Sequence, residues 1–170
     1  GARRVSPQFV AKMIPNIAGG QVSMRFGFRG PSQTVISACA SSNDAIGIAL
    51  RLIRYGDADI MLTGGTEASI TPLTIAGFAN MRALSQNCEN PTEASRPFDA
   101  NRDGFVLSEG AGMLVIESEE HALKRGATIL AELAGYGSSD DAFHITQPAP
   151  EGLGAFKAMK RALEDASINT

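Results

Sequence analysis

Apolar positions along this chain recur with two different periods, and the changes between them locate its elements. Thr34, Val35 and Ile36 form a β-branched run that predicts a buried strand over Gln33–Ala38. From there Ala45, Ile46, Ile48, Ala49, Leu52 and Ile53 recur at helical spacing, with Gly56 placed to end the helix. A second run, Asp59–Thr63 with Ile60, Met61 and Leu62, predicts another buried strand. A short crossover through one helix predicts that the two strands are parallel. Gly64 and Gly65 follow at its carboxyl end, where ligands approach in open α/β sheets.

The flanks read in the same way. Ser6 as cap and Pro7 as first residue predict a short helix through Met13, ended by Pro15. Asn16 then caps a helix bearing Ile17, Val22, Met24 and Phe26, weakened at Gly19 and Gly20 unless another backbone packs close. Gly27 and Gly30-Pro31 turn the chain into the first strand. Ser69–Asn101 is looser, with a helical turn from Thr71-Pro72 towards Met81. Phe105–Leu107 and Met113–Glu117 read as strands broken by Gly110 and Gly112. Ser118 caps a helix over Glu119–Arg125 with acids first, bases last and Gly126 as terminator. Ile129–Tyr136 reads as a strand, and Glu151–Ala166 as an amphipathic helix with Leu153, Phe156, Met159, Ala162 and Leu163 on one face. The class is α/β.

Composition narrows the functional classes. With 170 residues, 44% hydrophobic and 19% charged, the chain can bury a substantial core. A net charge of −3 and the lack of a basic run argue against a nucleic-acid partner. No apolar stretch approaches ~18 residues, so no membrane partner is expected. The two cysteines sit in unlike contexts and do not make a disulfide framework, which points to a reducing cytoplasm. Gly64-Gly65 and Gly135-x-Gly137 complete no phosphate or dinucleotide fingerprint, so no cofactor is implied.

Cys39 falls where the predicted strand becomes a helix, among Ser37, Ala38, Ala40, Ser41 and Ser42. A thiol there faces unpaired N–H groups and the positive end of the helix dipole, and small neighbours leave room for a substrate. That is how a nucleophile elbow is built. The alternative is a small hydrophobe packed inertly under the junction.

The run Ser37-Ala38-Cys39-Ala40-Ser41-Ser42 resembles the nucleophile motif of the β-ketoacyl-[acyl-carrier-protein] synthases, the condensing enzymes of fatty-acid synthesis. Further matches follow in order: Gly30-Pro31-Ser32, Gly56-Asp57-Ala58-Asp59, Gly64-Gly65-Thr66-Glu67, Ser95-Arg96-Pro97-Phe98-Asp99 and Arg102-Asp103-Gly104-Phe105-Val106. Glu109-Gly110-Ala111-Gly112 and Asp141-Ala142-Phe143-His144-Ile145-Thr146 extend the resemblance across essentially the whole chain, nearest the chain-elongating bacterial synthase II. It implies a thiolase-like layered α-β-α-β-α architecture of two similar halves. Residues 1–126 would hold the later part of the first half and 127–170 the start of the second, so the chain reads as a central piece.

The resemblance also implies a decarboxylative Claisen condensation with Cys39 as the acyl-carrying nucleophile. Ala38 and Phe78 match acyl-pocket positions, plain core packing competing for Phe78. His144 and Thr146 match positions at the site mouth, Thr146 bonding the pantetheine arm of the acyl carrier protein. Arg3, Arg4 and Arg82 match carrier-contact positions, and Gln33–Ser37 the homodimer strand. The family's two catalytic histidines correspond to neither His121 nor His144 and would lie beyond Thr170. Two rival functions are a non-condensing carrier-binding or chain-length partner of the same fold, which lacks the nucleophile, and a cysteine hydrolase.

Two remaining features read as structural. Asp99-x-Asn101-x-Asp103-Gly104 matches half of a calcium loop, but position twelve is Gly110 and the flanks are strand-like, so no metal is expected. The loop would instead pair its acids with Arg96 and Arg102. Cys88 lies among Gln86, Asn87, Glu89 and Asn90 with no base nearby, a poor setting for a nucleophile.

Overall fold

Helices form wherever local signals demand them, whereas strands form only where a neighbour is present. The computed structural model describes residues 2–169. Its helices are α1 Phe9–Met13, α2 Ile17–Phe26, α3 Ser41–Arg54, α4 Pro72–Asn80, α5 Glu119–Lys124 and α6 Leu153–Asp165. Its strands are β1 Ile60–Glu67 and β2 Gly110–Glu117, joined in one two-stranded sheet.

The caps behave as their chemistry dictates. Thr71 Oγ1 accepts the Thr74 N–H (3.2 Å) with Pro72 at the first helical position, and Ser118 Oγ accepts the His121 N–H (3.2 Å). Gly27, Gly56 and Gly126 take left-handed conformations just past α2, α3 and α5. The start of α1 differs from expectation. Ser6 accepts the N–H groups of Gln8 on its side chain and Phe9 on its carbonyl, making a turn that delays the helix to Phe9. Asn16 precedes α2 without a side-chain capping bond. The helix runs through Gly19 and Gly20, and no backbone packs close on either.

Strand pairing departs most from the sequence expectation. Residues 31–37 form no strand and pair with none among the described residues, and Ile36 is 71% exposed. The expected parallel pairing with Asp59–Thr63 is therefore not made. Instead Ser118 N–H donates to Asp59 C=O (3.0 Å), joining the end of β2 to the start of β1, so the two run antiparallel. Within β1 only Thr63 is buried. The second strand passes straight through Gly110 and Gly112, because the ladder holds them, while Phe105 makes only an isolated bridge to Leu84. Ile129–Tyr136 is not a strand either. Each departure has one cause: a strand needs a partner's N–H and C=O groups beside it, and no local pattern supplies them.

The chain divides into two units. The first holds the residues up to Gly64 together with those from Met113 onward; the second spans Gly65–Gly112. In the first, burial centres on Gly47, Ala49 and Leu50 of α3, with Ala122 of α5 and Gly154 of α6. Segment 134–138 lies so close to α6 that a Cβ on Gly137 would run into the Ala158 carbonyl oxygen, and one on Gly135 into that of Ala162. In the second unit Ala94 is buried, and Phe78 meets Phe105 edge to face (centroids 6.0 Å apart). Met113, Leu114 and Val115, on both faces of β2, and Leu153, Phe156 and Met159 on α6 are exposed. Accessible surface totals 13757 Å². A folded monomer of this mass exposes about 8,000 Å², so these 170 residues leave much of their apolar surface uncovered.

Glu117, at the end of β2, accepts from Arg125 Nε (2.9 Å) and lies 2.6 Å from His121 Nδ1. The Arg125 guanidinium first, then His121, hold its carboxyl down from 4.5 to about 2. A carboxyl lowered on folding contributes stability above its unfolded value that is lost as pH falls through the folded one. Stability should therefore decline between pH 4.5 and about 2. In acid titrations followed by circular dichroism, Glu117→Gln should be less stable near neutrality and flatter across that window. Equal slopes in the two proteins would refute this account.

Candidate active site

The turn that presents Cys39 is built from the residues on either side of it. Residues 31–37 lead into a 3₁₀ turn at Ala38–Ala40, closed by Ala40 N–H to Ser37 C=O (3.1 Å), and α3 begins at Ser41. Ala38 carries φ +50°, a conformation an L-residue holds only when its surroundings enforce it. Cys39 is exposed. It stands where the first N–H groups of a helical run have no intrahelical partner and the dipole of a 14-residue helix is positive.

Hydrogen bonds pin this turn from three sides. Ser37 N–H donates to Ser41 Oγ (2.9 Å), and the Ser41 hydroxyl donates to Ala38 C=O (2.7 Å), so one side chain bridges the bend. The Ser37 hydroxyl donates to Asp44 Oδ2. The other oxygen of Asp44 accepts from the Tyr136 hydroxyl at 2.5 Å, across 92 residues of sequence. Bonds from Ser37 and then Tyr136 hold the Asp44 carboxyl below its usual range, while burial and then the Asp44 bond push Tyr136 up.

Tyr136 is itself fixed. Its ring lies on Gly47, where a Cβ would collide with ring carbons. The Arg51 guanidinium sits 5.2 Å from the ring centroid. The Tyr136 N–H donates to Asp165 Oδ2 (2.9 Å), which also pairs with Arg54 (2.8 Å), and Arg54 donates to Ala134 C=O (2.5 Å). The Tyr136 amide and then Arg54 keep the Asp165 carboxyl low. Helix α3 is thereby tied to segment 134–138 and to α6, all within the first unit.

The other sequence-derived candidates are distributed as follows. Ala38 is exposed beside Cys39. His144 and Thr146 lie in an exposed loop of the first unit. There His144 Nδ1 accepts the N–H groups of Thr146 and Gln147 (both 3.1 Å), which in the neutral ring leaves the proton on Nε2. No hydrogen bond joins either residue to Cys39 among the described residues. Arg3 and Arg4 are exposed in a 3₁₀ turn at Ala2–Arg4. Phe78 and Arg82 belong to the second unit, Arg82 just past α4 with φ +55°.

In the same unit Asp103 accepts from Ser85 (2.7 Å) and Gln86 (2.9 Å) and pairs with Arg96 (3.4 Å). Arg102 differs from expectation, since it donates to the Asp99 backbone carbonyl (2.8 Å), not to an acid. Asp44, Tyr136 and Gly47 do not stand out in the sequence. The one hint is an acid in the first turn after the cysteine; its partner is too distant in sequence to be read. Gly135 and Gly137, which complete no phosphate loop, are close-packing positions.

Known proteins resemble this chain in sequence and shape. The family model for the Beta-ketoacyl synthase N-terminal domain matches residues 1–122, and that for the C-terminal domain matches 130–170. A mitochondrial 3-oxoacyl-[acyl-carrier-protein] synthase of Arabidopsis thaliana is 54% identical over 98% of this chain, and 3-oxoacyl-[acyl-carrier-protein] synthase 2 of Staphylococcus aureus is 55% identical over 99%. The chain spans 36% and 41% of those two proteins. Among solved structures, a type II PKS acyl-carrier protein in complex with its ketosynthase bound to the hexaketide aligns over 99% of this chain and 42% of its own, with TM-score 0.95 and 40% identity. A Beta-ketoacyl synthase from Burkholderia phymatum aligns over 96% of this chain and 40% of its own, with TM-score 0.88 and 41% identity.

Proposed function

The chain belongs to the β-ketoacyl synthase family, and from that premise we propose that it carries the nucleophile turn of a 3-oxoacyl-[acyl-carrier-protein] synthase. The observation that carries the proposal is an exposed Cys39 on a strained, hydrogen-bonded turn at the start of a long helix. The Cys39 sulfur adds to the carbonyl of an acyl-carrier thioester, and collapse of the tetrahedral oxyanion expels the pantetheine thiol and leaves an acyl-cysteine. The Cys39 N–H supplies one oxyanion donor, a class of interaction worth roughly 3–4 kcal/mol. Malonyl carrier then loses CO2, and its carbanion takes the acyl group from sulfur, lengthening it by two carbons. His121 is engaged by Glu117 and His144 by its own loop, which supports assigning the decarboxylation histidines to neither.

The partner roles are part of the same proposal. Arg3, Arg4 and Arg82 are carrier-contact residues, Thr146 bonds an amide of the carrier's pantetheine arm with His144 alongside, and Ala38 lines the acyl pocket. That Gln33–Ser37 pairs with no strand among the described residues supports pairing with a second copy, since an unpaired edge is an aggregation liability. The thiolase-like layers, with the halves meeting near Gly126–Thr128, are supported by the family matches on either side of that point. Two unpaired cysteines support a reducing, cytoplasmic location.

Incubation with a medium-chain acyl-carrier thioester, followed by intact mass and peptide mapping, tests the proposal. An acyl adduct on Cys39 and none on Cys88 is expected. A chain that takes no acyl group and whose Cys39 resists a small alkylating reagent while folded would return Cys39 to an inert packing role. Free acid accumulating without the adduct persisting would identify a hydrolase instead.

A further inference from the structure

The strain at Ala38 must be held by something, and the bonds within the turn are not the whole of it. Ser41 bridges the bend locally. The only link found among the described residues that carries the turn's hydrogen bonding to a distant segment is Asp44. One of its oxygens takes the Ser37 hydroxyl, two residues before Cys39, and the other takes the Tyr136 hydroxyl. Tyr136 cannot drift, because its ring is laid on Gly47, its face is under Arg51, and its amide is held by Asp165.

Resting on the reading of Cys39 as nucleophile, we propose that Asp44 is a positioning residue that clamps the Cys39 turn to segment 134–138. Its carboxylate accepts two hydroxyl donors in opposite directions, a task for an ionised acid with both oxygens free of competing protons. Without it, Ser37 loses its far anchor and Ala38 is free to relax to negative φ. The sulfur then swings away from the unpaired N–H groups at the start of α3. The sequence does not advertise this role, because an acid in a first helical turn is ordinarily a dipole partner.

The direction of the effect separates positioning from simple electrostatics. Removing a negative charge near a thiol favours the ionised sulfur by Coulomb's law, so charge alone makes Cys39 of Asp44→Asn react faster. Loss of the clamp makes it slower. The full chain is treated with iodoacetamide at fixed pH, and labelling of Cys39 is read against Cys88 in the same sample by peptide mapping. Global unfolding would move both cysteines; loss of the clamp moves only Cys39.

Asp44→Asn and Ser37→Ala should each slow Cys39 roughly tenfold, the scale of one charge-assisted hydrogen bond. The double variant should be no slower than the slower single one, because both break the same link. Ser37→Thr, which keeps the hydroxyl, should restore the rate. If Asp44→Asn does not fold, Ser37→Ala and Tyr136→Phe carry the test, each removing one exposed or half-buried hydroxyl. A wild-type Cys39 that is fast, and stays as fast or faster in these variants, overturns the clamp alone. A wild-type Cys39 no faster than Cys88 overturns both the clamp and the nucleophile reading it rests on.

Discussion

Cys39→Ser leaves the chain folded but without an acyl adduct after incubation with acyl-carrier thioester, and Cys39→Ala does the same. The expected loss is on the scale of the roughly million-fold fall seen when a hydrolase nucleophile is removed. Serine is nearly isosteric, so only the chemistry changes. A hydroxyl needs a base to take its proton, and among the described residues no hydrogen bond joins a base to the side chain at position 39. Both oxygens of Asp44 are taken, His121 is bonded to Glu117, and His144 accepts from its own loop. The helix dipole contributes roughly 0.3–1 kcal/mol, far too little to make an alkoxide of a hydroxyl. Cys88→Ser should leave the adduct intact. An adduct that survives in Cys39→Ser, whether it maps to the substituted position or to Cys88, would remove Cys39 from its role.

The largest structural effect is expected from Gly137→Ala. The added methyl would collide with the Ala158 carbonyl oxygen and lie 2.5 Å from the Ala162 nitrogen. These are backbone atoms of α6, which cannot turn aside as a side-chain tip would. Either segment 134–138 lifts from α6 or the helix shifts, and the cost should be about 2–3 kcal/mol with a thermal midpoint lower by roughly 5–10 °C. Because Tyr136 and Ala134 sit in that segment, the loss should reach the bonds from Tyr136 to Asp44 and from Arg54 to Ala134. Differential scanning calorimetry checks the midpoint. A midpoint within about one degree of wild type would show that the approach relaxes freely.

Cys39 is legible in the sequence because its cue is local: small residues between a β-branched run and a helical repeat, with the family motif around it. Helix α3 is legible too: of the apolar stripe Ala45, Ile46, Ile48, Ala49, Leu52 and Ile53, Ala49 is buried, but the other buried positions, Gly47 and Leu50, lie outside it. Glycine carries no hydrophobic signal, so a pattern of apolar residues passes over it even where a ring is laid on it. The same blindness makes Gly135 and Gly137 look like an incomplete phosphate loop.

Helices and their ends depend on residues no more than about four positions apart, through i to i+4 bonds and side-chain caps. Thr71, Ser118, Gly27, Gly56 and Gly126 therefore declare themselves from the chain alone, as does the position of the thiol. Strands and clamps depend on what lies alongside in space. Whether Gln33–Ala38 or Ile129–Tyr136 became a strand, whether β1 met its neighbour parallel or antiparallel, and which hydroxyl Asp44 would hold were decided only by tertiary structure. The groups that satisfy those hydrogen bonds come from segments tens of residues away, and no local preference of the chain can name them.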